Sequence, residues 1–330
     1  MSQSPPVLTI LIPSDRDHPS PVPAGLDRIE DRVEIRLSVA EQLPETLAGA
    51  HGLLLWDFFS DAVQNAWHTT EQLEWIHVAA AGVDKLLFDE LRDSEVTVTN
   101  AQGIFDRPIA EWVLGAILAE AKDFAGNYRL KNTKSWKHRE TTRVEGAKAL
   151  VIGTGAIGRE IARMLRAAGL NVTGAGRRAR DHDEDFGEVV LSEDLIGHVG
   201  EFDVMINAAP LTPATTGLID AEVLAAVKPG AHVINIGRGP SVDEPALITA
   251  LRDGPLGFAS LDVFTEEPLP QTSELWELDN VMISSHMSGD VTGWREALAE
   301  QFLDNAERWL ADQPLHNVVD KTAGYVPGVG

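Results

Sequence analysis

Three short stretches in the second half of the chain each place a chemically capable side chain just after an apolar run. "VINIGRGPSVDEPAL" carries Arg238 between Gly237 and Gly239, "LDVFTEEPLP" carries Asp262, Glu266 and Glu267, and "VMISSHMSG" carries His286, Ser288 and Gly289. A guanidinium grips a carboxylate through paired N–H donors and polarises a carbonyl beside it. An imidazole exchanges a proton near neutral pH, and a carboxylate behind it favours the charged form. With a hydride carrier, these three groups suit interconversion of a 2-oxo acid and a 2-hydroxy acid. Glu266 and Glu267 are adjacent, so spacing leaves open which of them backs the histidine. Singly, Arg238 also suits a surface cap, Glu267 a first-turn acid and His286 a loop histidine; their conjunction is the signal. His77 and His232 stand inside apolar strands and read as structural.

The hydride carrier has its own signature. In "ALVIGTGAIG" (Ala149 to Gly158), Gly153, Gly155 and Gly158 form G-x-G-x-x-G, with Ala156 and Ile157 between the last two. An apolar strand precedes the motif and helical "REIARMLRAAG" follows it, the context of a dinucleotide site. The first glycine allows the tight turn, the second lets backbone approach a pyrophosphate, and the third lets helix and strand pack closely. The next strand, "NVTGAGRRAR", ends in Gly176, Arg177 and Arg178 where a ribose-binding acid is usual. A carboxylate there repels a 2′-phosphate, whereas two guanidiniums offer it forked, charge-assisted bonds. The expected cofactor is therefore NADP(H), with NAD(H) second. The bland alternative is a pair of solvent-facing arginines at a helix start.

Elements that could position these groups follow from the apolar pattern. "VLTILIP", "RVEIRLS", "GLLLW", "LEWIHVAAAGVD" and "VTVTNA" read as strands of a first βαβ series. "KALVIG", "NVTGAG", "DVMINAAP", "AHVINIGRG", "FASLDVF" and "NVMISSH" read as six strands of a second. Continuous apolar runs with crossover helices mean parallel sheets buried on both faces, and ligands sit at the carboxyl ends of such strands. Between the two series, Pro108 to Phe124 reads as a largely apolar helix suited to burial between subunits. Trp294 to Pro314 reads as an amphipathic tail helix. Leu54, Trp56 and Trp75 hint at an apolar pocket wall, though such residues are more often core.

Composition narrows the class. The 330 residues hold 27 Lys plus Arg against 51 Asp plus Glu, a formal net charge of -24. Such a surface gains nothing from nucleic acid or anionic lipid. Only eight of the basic residues are lysines, and an acid-rich, lysine-poor surface suits a halophilic origin. There is no cysteine, so disulfides and thiolate metal sites are excluded, and no metal is expected. No apolar run reaches transmembrane length and no basic leader precedes one, so a cytoplasmic protein is expected.

The whole set of motifs resembles the D-2-hydroxyacid dehydrogenase family. The glycine fingerprint, "NAAPLTPATTGLI", "NIGRG", "LDVFTEEPLP" and "SSHMSG" occur in that family's order and spacing. "AAAGVDKL", "NAQGIFDRPIAEWVLGAIL" and "PLHNVVD" extend the likeness over essentially the whole chain. The resemblance implies an α/β fold of two Rossmann-like, doubly wound parallel-sheet domains with a cleft between them. Residues 1–101 plus 291–330 would form the flavodoxin-like substrate-binding domain, and 102–290 the dinucleotide-binding domain. It implies reduction of a 2-oxo acid, with Arg238 on the substrate carboxylate and carbonyl and His286 as general acid. Glu267, the acid before Pro268, would pair with that histidine. Ala81 and Gly82 would hold the substrate carboxylate through backbone amides, and Asp262 the nicotinamide carboxamide. Ala209, Pro210, Thr215, Ile236, Gly237 and Ser288 would line the cofactor. Gly176, Arg177 and Arg178 depart from the commoner pattern and point to an NADP-preferring, glyoxylate/hydroxypyruvate reductase-like branch. A homodimer through residues 108–124 is implied. Competing readings are a formate- or phosphite-dehydrogenase relative and a non-enzymatic NAD(P) sensor. Glu267 argues against the formate enzyme, whose matching position is glutamine, and a sensor has no need of the Arg–Glu–His set.

Overall fold

The computed structural model describes residues 5–15 and 21–327; the ends of the expected first domain, 1–4 and 328–330, lie outside them. The chain divides into two compact units, Met1–Phe105 with Val291–Val329, and Asp106–Asp290. Both are α/β units built on parallel sheets.

The first unit holds β1 (Val7–Leu11), β2 (Glu34–Ser38), β3 (Gly52–Leu55), β4 (Trp75–Val78) and β5 (Thr97–Asn100), all parallel, in the order β2-β1-β3-β4-β5. Every residue of β1, β3 and β4 is buried, because cover on both faces makes each side chain a core side chain. The helix Trp294–Leu310 returns to this unit: Phe302 stacks on Trp75 with ring centroids 5.8 Å apart, and Trp309 approaches Trp75 to 5.5 Å. Leu54, Trp56 and Trp75 are all buried, so they are core rather than pocket wall. His77 is sealed in the same layer with Nδ1 2.8 Å from Thr99 Oγ1, and burial pushes its pKa down to about 3.

The second unit holds β6 (Lys148–Ile152), β7 (Asn171–Gly176), β8 (Arg180–Asp183), β9 (Gly187–Leu191), β10 (Val204–Asn207), β11 (His232–Asn235), β12 (Phe258–Leu261) and β13 (Val281–Ile283). The sheet order is β13-β12-β11-β10-β6-β7-β9-β8, parallel except for β8 against β9. Strand order reverses between β6 and β10, the switch point where a crevice opens at the carboxyl ends of the strands. His232 is buried here with Nε2 2.9 Å from Ser260 Oγ, and burial likewise lowers it to about 3.

Two of these strands, β8 and β9, have no counterpart in the apolar pattern. Ion pairs to the helix Ala156–Ala167, rather than apolar burial, hold the β8 end of this hairpin. Arg159 reaches Asp183 at 3.1 Å and Asp185 at 2.8 Å, and Arg163 reaches Asp185 at 2.6 Å. Burial alone would raise both aspartates, but the bonded guanidiniums hold each below its ordinary pKa.

The long helix runs from Asp106 to Ala121, and a second, Phe124–Asn132, follows after Asp123 accepts a capping bond from the Gly126 N–H at 2.9 Å. Ile109, Ala110, Val113, Ala116 and Ile117 are buried, and the helix packs on Ala156–Ala167. Among the described residues no helix is long and apolar enough to cross a membrane, and no His/Asp/Glu group could hold a metal ion.

Candidate active site

The fingerprint turn is shaped by close approaches that exclude side chains. Gly153 has φ +103°, and a Cβ there would stand 2.7 Å from the Ala208 backbone at the end of β10. A Cβ on Gly158 would stand 1.9 Å from the Gly153 carbonyl oxygen, so helix and turn could not close. Gly155 differs: it is the N-cap of Ala156–Ala167, has open space where a Cβ would be, and brings no capping side chain. The first-turn amides of Ala156 and Ile157 therefore meet a helix end left without a side-chain acceptor, which suits a pyrophosphate.

Gly176 ends β7 against Thr154, whose Oγ1 would be 3.0 Å from an added Cβ. Arg177 and Arg178 are exposed in the turn that leads into β8, not at a helix start. That turn is held by β7 on one side and by the Asp183–Arg159 pairs on the other. Further round, Ala209 is buried and Pro210 exposed, and Thr215 Oγ1 closes their loop by donating to the Pro210 carbonyl at 2.6 Å.

Arg238, Glu267 and His286 all belong to the second unit and follow β11, β12 and β13. His286 Nδ1 lies 2.8 Å from Glu267 Oε2, and the other carboxylate oxygen accepts from the Phe264 N–H at 2.9 Å. Burial alone would raise Glu267, but the bonds from His286 and Phe264 and the charges of His286 and Arg238 hold the carboxyl below its ordinary value. Glu266 is exposed and makes no such pair among the described residues, so geometry selects Glu267.

Two glycines press the arginine loop against its neighbours. A Cβ on Gly237 would meet the Ala209 carbonyl oxygen at 2.8 Å, and one on Gly239 would meet the Phe264 backbone at 1.9 Å. Arg238 is thereby wedged between the Ala209 loop and the segment that carries Glu267. Its Nη1 also donates to the Gly237 carbonyl at 2.8 Å.

Asp262 organises the histidine loop. It is 1% exposed and accepts from Ser284 Oγ at 2.5 Å, Met287 N at 2.9 Å and Ser288 N at 2.9 Å. The Asp262 carbonyl also accepts from the His286 N–H at 2.8 Å, and His286 sits at φ +52°. This cage holds a left-handed backbone that is uncommon for any residue other than glycine. A carboxylate offers about four acceptor positions, and these three bonds leave one of them open. Ser288 and Ile236 are both buried. Sequence patterns missed Ser284 and the asparagines that end β10 and β11; only their place at strand ends hinted at them.

In the first unit, the loop after β4 carries Ala81 and Gly82. Asn100 Nδ2 donates to the Ala81 carbonyl at 2.6 Å, while the N–H groups of Ala81 and Gly82 meet no acceptor among the described residues. These two successive N–H groups are thus left for an acceptor from outside the described residues.

Comparisons with known proteins bear on the family and the fold. The sequence pattern of the D-isomer specific 2-hydroxyacid dehydrogenase NAD binding domain matches residues 114–288. Hydroxyphenylpyruvate reductase of Plectranthus scutellarioides is 32% identical over 248 residues, covering 74% of this chain and 77% of that protein. Glyoxylate/hydroxypyruvate reductase A of Arabidopsis thaliana is 32% identical over 247 residues, with the same two coverages of 74% and 77%. A D-isomer specific 2-hydroxyacid dehydrogenase from Xanthobacter autotrophicus Py2, solved with NADPH and MES, superposes with TM-score 0.81 at 29% identity, covering 98% of this chain and 100% of that one. The chain belongs to the D-isomer specific 2-hydroxyacid dehydrogenase family, an oxidoreductase family built on an NAD-binding domain.

Proposed function

We propose that this chain is an NADPH-preferring reductase of small 2-oxo acids, in which Arg238 binds the substrate carboxylate and carbonyl and the His286–Glu267 pair moves the proton. The observation that carries the reading is the 2.8 Å contact between His286 Nδ1 and a carboxylate that is itself fixed by the Phe264 amide. An ionised carboxylate only accepts, so Nδ1 keeps its hydrogen toward Glu267 and Nε2 is the nitrogen that gives up a proton. Reduction needs that proton at the carbonyl oxygen, and Arg238 stabilises the charge that develops there. A bound nicotinamide supplies the hydride. In the reverse direction Nε2 takes the proton from the hydroxy acid.

The residues fit a dinucleotide. The uncapped helix start at Gly155, Ala156 and Ile157 suits the pyrophosphate, and Gly153 and Gly158 admit the close packing that a side chain would block. Ala209, Pro210, Thr215, Ile236, Gly237 and Ser288 are the remaining cofactor residues of this reading, with Asp262 for the carboxamide. Arg177 and Arg178 would take the 2′-phosphate, in keeping with the NADPH complex of the Xanthobacter relative. Replacing both by glutamate is expected to raise KM for NADPH roughly 100-fold with little change for NADH, since each charge-assisted bond contributes about 1.5–3 kcal/mol. An unchanged NADPH-to-NADH ratio of kcat/KM would remove the arginines from the site.

The first unit is the substrate-binding domain in this reading, through Ala81 and Gly82. The substrate class is tested with glyoxylate, pyruvate, hydroxypyruvate and 4-hydroxyphenylpyruvate against NADPH and NADH, at low and multimolar salt. At least one acid should oxidise NADPH; binding of dinucleotide without turnover of any of them would leave the sensor reading in its place. The acidic, lysine-poor surface supports a halophilic enzyme, so activity should be retained at multimolar salt, and a cytoplasmic location is part of the same proposal. A homodimer is the proposed assembly. Beyond the helix Asp106–Ala121, Phe124, Tyr128 and Trp136 are exposed, Trp136 fully, which is apolar area a second subunit would cover. Sedimentation equilibrium in the same buffers reads that state, and a monomer throughout would exclude it.

A further inference from the structure

Beneath the arginine loop, at the carboxyl ends of β10 and β11, three uncharged polar side chains are sealed from solvent: Asn207, Asn235 and Ser241 are at most 1% exposed. Amides and hydroxyls are buried at a cost unless each donor and acceptor is matched, and here they match one another. Asn207 Nδ2 donates to Asn235 Oδ1 at 2.9 Å and to Ser241 Oγ at 2.6 Å. Because the Ser241 oxygen receives that hydrogen, its own hydroxyl hydrogen goes to the Arg238 carbonyl at 2.5 Å. Asn235 Oδ1 takes a second bond from the Gly237 N–H at 3.2 Å, and Asn235 Nδ2 donates to the same Arg238 carbonyl at 3.2 Å. Asn207 Oδ1 accepts from the Ala209 N–H at 3.2 Å. Every bond in the chain has one permitted direction, and two of them end on the backbone of Arg238.

We propose that Asn207, Asn235 and Ser241 are positioning residues for Arg238: a directional, buried hydrogen-bond relay that fixes the arginine backbone and ties its loop to the Ala209 loop. The proposal rests on the reading of Arg238 as the substrate-binding guanidinium. None of the three side chains is exposed to meet substrate or cofactor, so they act through the arginine. Ser241 is the most selective handle, since its hydroxyl touches only Asn207 and the Arg238 carbonyl among the described residues. Asn207 reaches the Ala209 loop as well and would disturb both sites.

A double-mutant cycle separates positioning from general damage. Ser241→Ala, Arg238→Lys and the double variant are assayed with the fastest-reduced of the four 2-oxo acids, alongside NADPH affinity by fluorescence titration. Ser241→Ala is expected to lower kcat/KM at least about tenfold, the effect of stranding a buried partner, with the NADPH dissociation constant within twofold of the parent. On the Arg238→Lys background the same change should cost less than twofold, because the group it positions has already gone. An equal loss on both backgrounds, or a parallel loss of NADPH affinity, would overturn the proposal. If Ser241→Ala gives no soluble protein, Ser241→Cys, similar in volume and a weaker donor, goes through the same cycle, and the same two results would support or overturn it. Full activity of Arg238→Lys alone would instead refute the reading of the arginine.

Discussion

Replacing His286 by alanine is expected to lower kcat for 2-oxo acid reduction roughly 1000-fold, within the range typical of a positioned general acid. NADPH affinity should stay within about twofold of the parent, because imidazole loss touches proton delivery rather than pyrophosphate or ribose contacts. His286 is chosen over the other histidines because it combines three features. Its Nδ1 is held by Glu267 at 2.8 Å, its backbone amide by the Asp262 carbonyl, and its φ of +52° is kept in place by that cage. The spectroscopic titration and the single-turnover rate are both needed. A variant that binds NADPH normally and still reduces the acid at the parental rate would take His286 out of the mechanism. Glu267→Gln is the companion variant: it keeps the shape but weakens the ion pair, so its loss should be smaller than that of His286→Ala.

The second large effect is on stability. His77 and His232 are buried in separate units, and each has its pKa pushed from 6.5 down to about 3 by desolvation. The unfolded chain takes up a proton at each as pH falls below about 6.5, while the folded chain does not until about pH 3. Stability is therefore fully present above 6.5 and is lost as pH falls through that window, by roughly 1.4 kcal/mol per pH unit for each histidine. Between about pH 6.5 and 4.5 most carboxylates remain ionised in both states, so the histidines dominate the slope there. The depressed acids, Glu267, Asp183 and Asp185 among them, add their own loss below the ordinary carboxylate range. Glu120 works in the opposite direction, since burial, helped by the charge of Asp123, raises it. Urea titrations from pH 7 to 4.5 should show the midpoint falling steadily. His232→Asn should flatten the transition of the second unit, and a pH-independent midpoint in the parent would refute the burial account of both residues.

Some of this protein was legible in its residues alone. The six apolar strands of the second unit could be read because a doubly covered parallel sheet demands unbroken runs of branched side chains, and "KALVIG" to "NVMISSH" supply them. The strands β8 and β9 were not legible in the same way. β8 is the charged run "RDHD", whose hairpin is held by guanidinium–carboxylate pairs to a helix about 20 residues upstream, and a polar run gives no periodic apolar signal. The glycine fingerprint was visible as a spacing, yet spacing cannot say why each glycine is needed. Gly158 packs on Gly153, Gly153 on Ala208, and Gly155 on nothing at all.

Residue types and order by themselves determined the kind of chemistry: a guanidinium, an imidazole and carboxylates, each following a strand, beside a dinucleotide turn. They could do so because a parallel strand delivers whatever follows it to one edge of the sheet. Spacing left open which of two adjacent glutamates faces His286; the family resemblance pointed to Glu267, and the tertiary structure supplies the contact. Tertiary structure alone decided that Asp262 cages the histidine loop, and that two asparagines and a serine lie beneath Arg238. Most of those choices turn on hydrogen bonds between residues 19 to 34 positions apart, within about 3 Å of one another, and linear order carries no record of such distances.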